Sequence, residues 1–283
     1  MRLLLIGRTG QVATELLRRA PAGVTVTALG REAADLSDPE ACARAVREAE
    51  ADAVVNAAAW TAVDRAEAEE DAARVVNAEA PAAMARAAAA RELPFVHVST
   101  DYVFPGAGDA AHRPDDPTGP LSAYGRTKLL GEEGVRAAGG PHVVLRTSWV
   151  FSAHGGNFVK TMLRLGRERA EVSVVDDQVG GPTPAADIAD ACMGIARALA
   201  AGAPGGTHHL SGAPDTSWAG FAEAVMAEAG LPARVNRIPS AAYPTPARRP
   251  LNSRLDCSSL LTAFGIGRPD WRAGLREVLR ELA

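Results

Sequence analysis

Two side chains four residues apart carry the most chemistry in this sequence: Tyr124 and Lys128, within Ser122-Ala123-Tyr124-Gly125-Arg126-Thr127-Lys128. On a helix, residues i and i+4 share a face, so this spacing brings a phenol and an ammonium together. A phenol with its ordinary pKa of about 10 is a poor proton donor or acceptor at neutral pH, and a neighbouring cation lowers that value. Lys128 is therefore expected to tune Tyr124 for proton transfer. Upstream, the run Ser99-Thr100-Asp101-Tyr102-Val103-Phe104 ends a strand in hydroxyls, and Thr100 is placed to hydrogen-bond a substrate carbonyl. Each signature alone is common by chance. Behind a dinucleotide-binding turn, the pair points to proton transfer at a carbonyl.

Such a turn opens the chain. Gly7-Arg8-Thr9-Gly10-Gln11-Val12-Ala13 follows the apolar run Leu3 to Ile6 and leads into Glu15-Leu16-Leu17, which starts a helix. A glycine between strand and helix lets peptide N–H groups approach a pyrophosphate, and the helix N-terminus adds partial positive charge. Gly7, Thr9, Gly10, Gln11 and Val12 are the candidates for that contact, with Ala13 in the packing position usually held by a third glycine. About twenty residues after Gly10, a site for NAD usually carries a carboxylate for the ribose 2'-hydroxyl. The sequence there reads Leu29-Gly30-Arg31. Arg31 can pair with a 2'-phosphate, which favours NADPH; the alternative is an ordinary solvated arginine. Asp35, Leu36, Ala57, Ala58 and Ala59 fall at carboxyl ends of later sheet segments, where open α/β sheets bind ligands. A lysine at the chemical end can also hold the nicotinamide ribose, so Tyr124 and Lys128 count as cofactor contacts too.

Elements that could position these groups follow a regular order. Leu3 to Ile6, Val24 to Leu29, Ala53 to Asn56, Phe95 to Ser99 and Val143 to Arg146 are strand-length apolar runs without polar alternation, as strands buried on both faces require. Helices are predicted between them at about 10–20, 39–50, 64–91 and 122–138. This order predicts an α/β chain with a Rossmann-type doubly wound parallel sheet. Past residue 150 glycine and proline mark shorter elements, so 1–150 is read as the dinucleotide-binding domain. Residues 151–283 are read as mainly a smaller substrate-binding lobe, with a helix at about 185–200 returning to the sheet.

Composition narrows the classes. The 283 residues are 47% hydrophobic, with 30 Lys and Arg against 34 Asp and Glu. That is enough apolar material for a large core, and no basic cluster suggests a nucleic-acid partner. The N-terminal apolar run is too short for a signal peptide and no segment suits a membrane span, so a cytoplasmic protein is expected. Cys42, Cys192 and Cys257 lack metal or redox spacing and read as reduced thiols. His208 and His209 lie in a strand-like run that points them to opposite faces, which speaks against joint metal ligation. Trp218 and Trp271 read as core or interface anchors. Arg248-Arg249 could meet a diphosphate or form an exposed loop pair.

Taken together, Gly7-x-x-Gly10-Gln11, Val55 to Asp64 (VNAAAWTAVD), Ser99 to Phe104, Tyr124-Gly125-Arg126-Thr127-Lys128 and Arg146-Thr147-Ser148-Trp149-Val150 resemble the dTDP-4-dehydrorhamnose reductase family of extended short-chain dehydrogenases. The likeness continues through Asn157 to Leu163, Asp177 to Thr183 and Tyr243 to Ser253, so it covers nearly the whole chain. It implies NADPH-dependent reduction of the C4 keto group of a dTDP-linked 4-keto-6-deoxysugar. Thr100, Tyr124 and Lys128 would be the catalytic trio. Thr100, Asp101, Tyr124, Trp149 and Arg248 would touch the substrate. Two positions depart from the family pattern. Gly30 stands where members often carry an acidic residue, which counts against NADH and leaves it second to NADPH as the expected cofactor. Some members bind Mg2+ between subunits; Glu15 matches one ligand position, but Ala186 stands where another is expected, so no metal is assigned and monomer or homodimer stays open. The competing readings are a reductase or epimerase for another nucleotide-linked 4-ketosugar, and a non-catalytic cofactor-binding regulatory protein.

Overall fold

The computed structural model describes residues 1–283. Its centre is a six-stranded sheet, with every neighbouring pair parallel. In chain order the first five strands are β1 (Arg2–Ile6), β2 (Thr25–Leu29), β3 (Ala53–Asn56), β4 (Phe95–Thr100) and β5 (His142–Thr147). From one edge to the other the order is Gly206–Leu210, β5, β4, β3, β1, β2. The apolar runs are continuous because both faces of the sheet are covered. Leu3 and Leu5 pack with Leu16 of helix α1 (Gln11–Arg19) and with Ile188, Cys192 and Ile195 of the helix Ala185–Ala200. Leu4 and Ile6 face the other way, toward Val46 of α2 (Pro39–Glu48) and Met84 of the helix Ala80–Ala89. Period-two alternation thus sends apolar side chains into two separate layers.

Two segments beyond residue 150 belong to this sheet layer. The expected returning helix is Ala185–Ala200, and the strand-like run containing His208 and His209 is the edge strand Gly206–Leu210, paired with β5. The two histidines do face apart: His208 Nδ1 lies 3.0 Å from Ser259 Oγ, whereas His209 Nε2 lies 3.5 Å from Arg146 Nη1. The remaining C-terminal elements build a smaller core. Helices Phe158–Glu168, Trp218–Glu228 and Trp271–Leu282 enclose the parallel pair Glu171–Val175 and Arg234–Ile238 around Phe151, Phe221 and Trp271. Trp271 is fully buried and donates its indole N–H to Pro214 O at 2.6 Å.

One predicted element is corrected. The single helix expected over 64–91 is broken into Val63–Ala66, Glu70–Arg74, a π-helical turn Val75–Glu79 and Ala80–Ala89. Pro81 has no N–H to give the Asn77 carbonyl four residues back, which frees that carbonyl and widens the turn. The Asn77 carbonyl then lies directly against Gly131, where any Cβ would collide with it. The Asn77 side chain accepts from Trp60 N–H at 2.8 Å and donates to Thr127 Oγ1 at 3.1 Å. The widened turn therefore joins the loop after β3 to the helix that carries Tyr124.

Candidate active site

At the carboxyl edge of the sheet lies a cavity of about 1150 Å³. Every cofactor and catalytic candidate from Gly7 to Lys128 lines it, as do Asp101 and Trp149; Arg248 is exposed and lies outside it. At one end, Gly7 has φ +106°, a conformation glycine adopts without strain, and a Cβ there would press on Ala58 Cβ at 3.3 Å. Its N–H donates to Leu29 O at 2.9 Å, locking the turn to β2. Gly10 caps α1, and a Cβ there would meet nothing within 4 Å. The ground before the helix N-terminus is therefore open, and the small side chains at 57–59 border it. An open cradle of peptide N–H groups and small residues fits a dinucleotide pyrophosphate. Gln11 closes one side: its Oε1 accepts from Asn157 Nδ2 at 3.0 Å and Ser152 Oγ at 3.2 Å.

The chemical end is built from buried polar groups. The helix Ala123–Ala138 starts at Ser122, whose Oγ accepts from Gly125 N–H at 3.2 Å. Gly125 lies against the Tyr102 carbonyl, too close for any Cβ, and this draws the helix onto the end of β4. Thr100 Oγ1 accepts from Tyr102 N–H at 3.2 Å and donates to Asp101 Oδ1 at 3.1 Å. The Tyr124 hydroxyl is hydrogen-bonded to Thr100 in the sense that favours the phenolate. Burial pushes the Tyr124 phenol up to about 12, with the Thr100 hydrogen bond opposing. Asp101 is 2% exposed and its Oδ2 has no hydrogen-bond partner; burial raises its carboxyl to about 6.

Lys128 corrects the expected tuning. Its Nζ donates to Val98 O at 2.8 Å and lies 3.3 Å from His97 Nε2, and burial lowers its pKa to about 8. Those contacts hold the ammonium beneath the strand end, and desolvation rather than Lys128 sets the Tyr124 value. Tyr124 is consequently a well-protonated donor at neutral pH. His97 escaped the sequence reading, since a histidine inside an apolar strand gives no pattern. Its Nδ1 lies 3.1 Å from Asn56 Nδ2, while Asn56 Oδ1 accepts from Ala58 N–H at 3.2 Å. One chain of contacts thus connects the cofactor end to the chemical end. A second missed group is Glu132, which accepts from Ser99 Oγ at 2.6 Å and from Arg146 Nε at 2.9 Å and Nη2 at 2.7 Å. Only its i+4 spacing from Lys128 hinted at a shared face.

Trp149 has φ +50°, a strained backbone for a large side chain, and its ring stacks on Trp218 with centroids 3.7 Å apart. Trp218 is thereby a support for the cavity wall as well as part of the smaller core. Glu15, His154 and Glu281 bring their polar atoms within 4.8 Å of one another. The Arg18 guanidinium meets all three, at 3.4 Å from Glu15 and 2.5 Å from Glu281 and in contact with His154.

Fold and cavity define the class: an NAD(P)H-dependent oxidoreductase on the short-chain dehydrogenase plan. A family model described as the RmlD substrate binding domain matches residues 1–283. The chain is 47% identical to a dTDP-4-dehydrorhamnose reductase of Burkholderia thailandensis, covering 100% of this chain and 99% of that protein. It is 44% identical to the dTDP-4-dehydrorhamnose reductase of Escherichia coli K12, covering 100% and 98%. A crystal structure of dTDP-4-dehydrorhamnose reductase from Bacillus anthracis in complex with NADP superposes with a TM-score of 0.93 at 30% identity, covering 99% of both chains. The chain belongs to this reductase family. No helix in it is long and apolar enough to cross a membrane.

Proposed function

We propose that the chain reduces the C4 keto group of dTDP-4-dehydro-6-deoxy-L-mannose to give dTDP-L-rhamnose. One observation carries the reading: Thr100, Tyr124 and Lys128 converge with the Gly7–Gly10 turn on a single cavity in a chain that matches this family end to end. Gly7, Thr9, Gly10, Gln11 and Val12 hold the pyrophosphate, and Arg31, Asp35, Leu36 and Ala57 to Ala59 border the rest of the dinucleotide. A bound NADPH supplies the hydride for the C4 carbon. Tyr124 Oη gives its proton to the C4 oxygen, and a pKa of about 12 keeps that proton in place at neutral pH until the alkoxide forms. Thr100 can turn its hydroxyl from Asp101 to the carbonyl oxygen, stabilising the developing charge. That turn takes one hydrogen bond from Asp101 and favours its protonated form. Lys128 is the buried cation through which Tyr124 recovers its proton from solvent.

Asp101 and Trp149 contact the sugar, and the residues after about 150 form mainly the substrate lobe, with the helix Ala185–Ala200 serving the dinucleotide domain. Arg248, exposed and outside the cavity lining, is the candidate for the diphosphate. The three buried free thiols suit a reducing cytoplasm. The test is turnover of dTDP-4-dehydro-L-rhamnose with NADPH and with NADH, and product identification by NMR. Loss of nicotinamide absorbance matched by dTDP-L-rhamnose is expected. A product formed without that loss is an epimerase result and sinks the reading.

A further inference from the structure

We propose that Arg8 and Glu32 are the pair by which this chain weighs a 2'-phosphorylated dinucleotide against one with a free 2'-hydroxyl. The inference rests on the cofactor site assigned above. β2 ends beside Gly30, where a dinucleotide fold ordinarily projects the carboxylate that takes the ribose hydroxyls. Position 30 has no side chain, yet its space is filled. A Cβ built on Gly30 would collide with the Glu32 carboxylate, meeting Oε1 at 2.8 Å and Cδ at 2.9 Å. The turn responsible is closed by Gly30 O, which accepts from Ala33 N–H at 3.1 Å and Ala34 N–H at 2.9 Å. Glu32 therefore delivers, from two residues downstream, the charge that the strand end lacks.

That charge is not free. Arg8 Nη1 donates to Glu32 Oε1 at 3.3 Å, and Arg8 belongs to the turn between β1 and α1. The ion pair thus bridges the two βα loops at the cavity mouth, and both residues line it together with Arg31. With side chains 63% and 67% exposed, the pair is solvent-screened and opens at little cost. In one arrangement Glu32 accepts hydrogen bonds from a ribose diol, as NADH presents. In the other, Glu32 turns away and Arg8 joins Arg31 to offer two guanidinium forks to a phosphate, as NADPH presents. A carboxylate left in place would repel that phosphate, so the two cofactors compete for opposite states of one pair.

The experiment measures equilibrium dissociation constants for NADPH and NADH, by nicotinamide fluorescence, on the parent chain and on Glu32→Gln, Arg8→Gln and Arg8→Lys. Glu32→Gln should raise the NADPH-to-NADH affinity ratio about five- to tenfold, the scale of one exposed charge contact. Arg8→Gln should lower the ratio by a similar factor, and the shift should shrink as salt screens it. Arg8→Lys should keep most of the ratio, which separates charge from side-chain shape. Variants that change both affinities equally, or leave the ratio where it was, overturn the proposal while the site stands. A parent chain that binds neither dinucleotide overturns the site assignment and the proposal with it.

Discussion

The two ends of the cavity are made by different physics. At the glycine turn the working parts are backbone: an open φ at Gly7, bare ground before Gly10 and the first N–H groups of α1, with charged side chains only at the exposed mouth. At the Tyr124 end the working parts are buried side chains, and burial raises Tyr124 and Asp101 and lowers Lys128. Backbone and solvent can be arranged by local sequence, so the first end is compact in the chain. Buried polar groups need partners from several elements, so the second end draws on β3, β4, β5 and the helix Ala123–Ala138. If this contrast is right, changes at the buried end should be expensive and changes at exposed sites cheap.

The largest expected effect is on turnover. Tyr124→Phe removes the proton donor and leaves the ring's packing against Tyr102, at 5.4 Å between centroids. Loss of a positioned general acid should lower kcat by about 10²–10⁴-fold. The dissociation constant for NADPH should move little, and a variant retaining parental kcat would remove Tyr124 from the chemistry.

Next comes the support beneath that chemistry. Glu132 is fully buried and pairs with Arg146, whose side chain is 3% exposed and lies over Phe104 with 4.9 Å from Cζ to the ring centroid. Glu132→Ala strands a guanidinium in the core, at a cost of about 3–5 kcal/mol in unfolding free energy. Denaturant unfolding reads that directly. A loss below about 1 kcal/mol would mean that water reaches Arg146 and that this end is less dry than the contrast requires.

The same contrast explains what could be read from the chain alone. The glycine turn, the five apolar runs and the Tyr124–Lys128 spacing are local patterns, and the structure reproduces each as an element or a cavity wall. Relations that depend on distant partners were hidden. The docking of the π-helical turn is one: the Asn77 carbonyl lies against Gly131 of a different helix, a contact that no window of sequence contains. The direction of the Tyr124 shift depends on how deeply the hydroxyl is desolvated and on where Lys128 Nζ is tethered. His97 and Glu132 sit in stretches whose periodicity is that of a core. Glu32 reads as a surface residue of a turn until the turn is folded back over Gly30.

A smaller effect is expected in the pH dependence of stability. Asp101 is raised from 3.8 to about 6, so between these values the folded chain holds a proton that the unfolded chain releases. Its contribution is fully present below pH 3.8 and is lost as pH rises toward about 6. A shift of about two units corresponds to about 3 kcal/mol at most. Asp101→Asn should remove that fall. The comparison is the parent-minus-variant difference in unfolding free energy at about pH 4 and about pH 7, because other carboxylates, such as Asp64 beside Arg249, are lowered and act in the opposite direction. A difference that does not change with pH would mean that Asp101 is solvated.

The smallest effect comes from a pair that matches Arg146–Glu132 in geometry and differs in burial. Arg126 Nε and Nη2 meet Glu70 Oε1 and Oε2 at 2.8 and 2.6 Å, yet the side chains are 43% and 42% exposed. Both are two-point Arg–Glu contacts involving the helix that carries Tyr124, so most of the difference in cost reports desolvation, the rest the Ser99 and Arg136 contacts of Glu132. Arg126→Ala should cost about 0.2–1 kcal/mol and less at high salt. If it cost as much as Glu132→Ala, hydrogen-bond geometry rather than burial would govern these pairs, and the contrast between the two ends of the cavity would lose its physical basis.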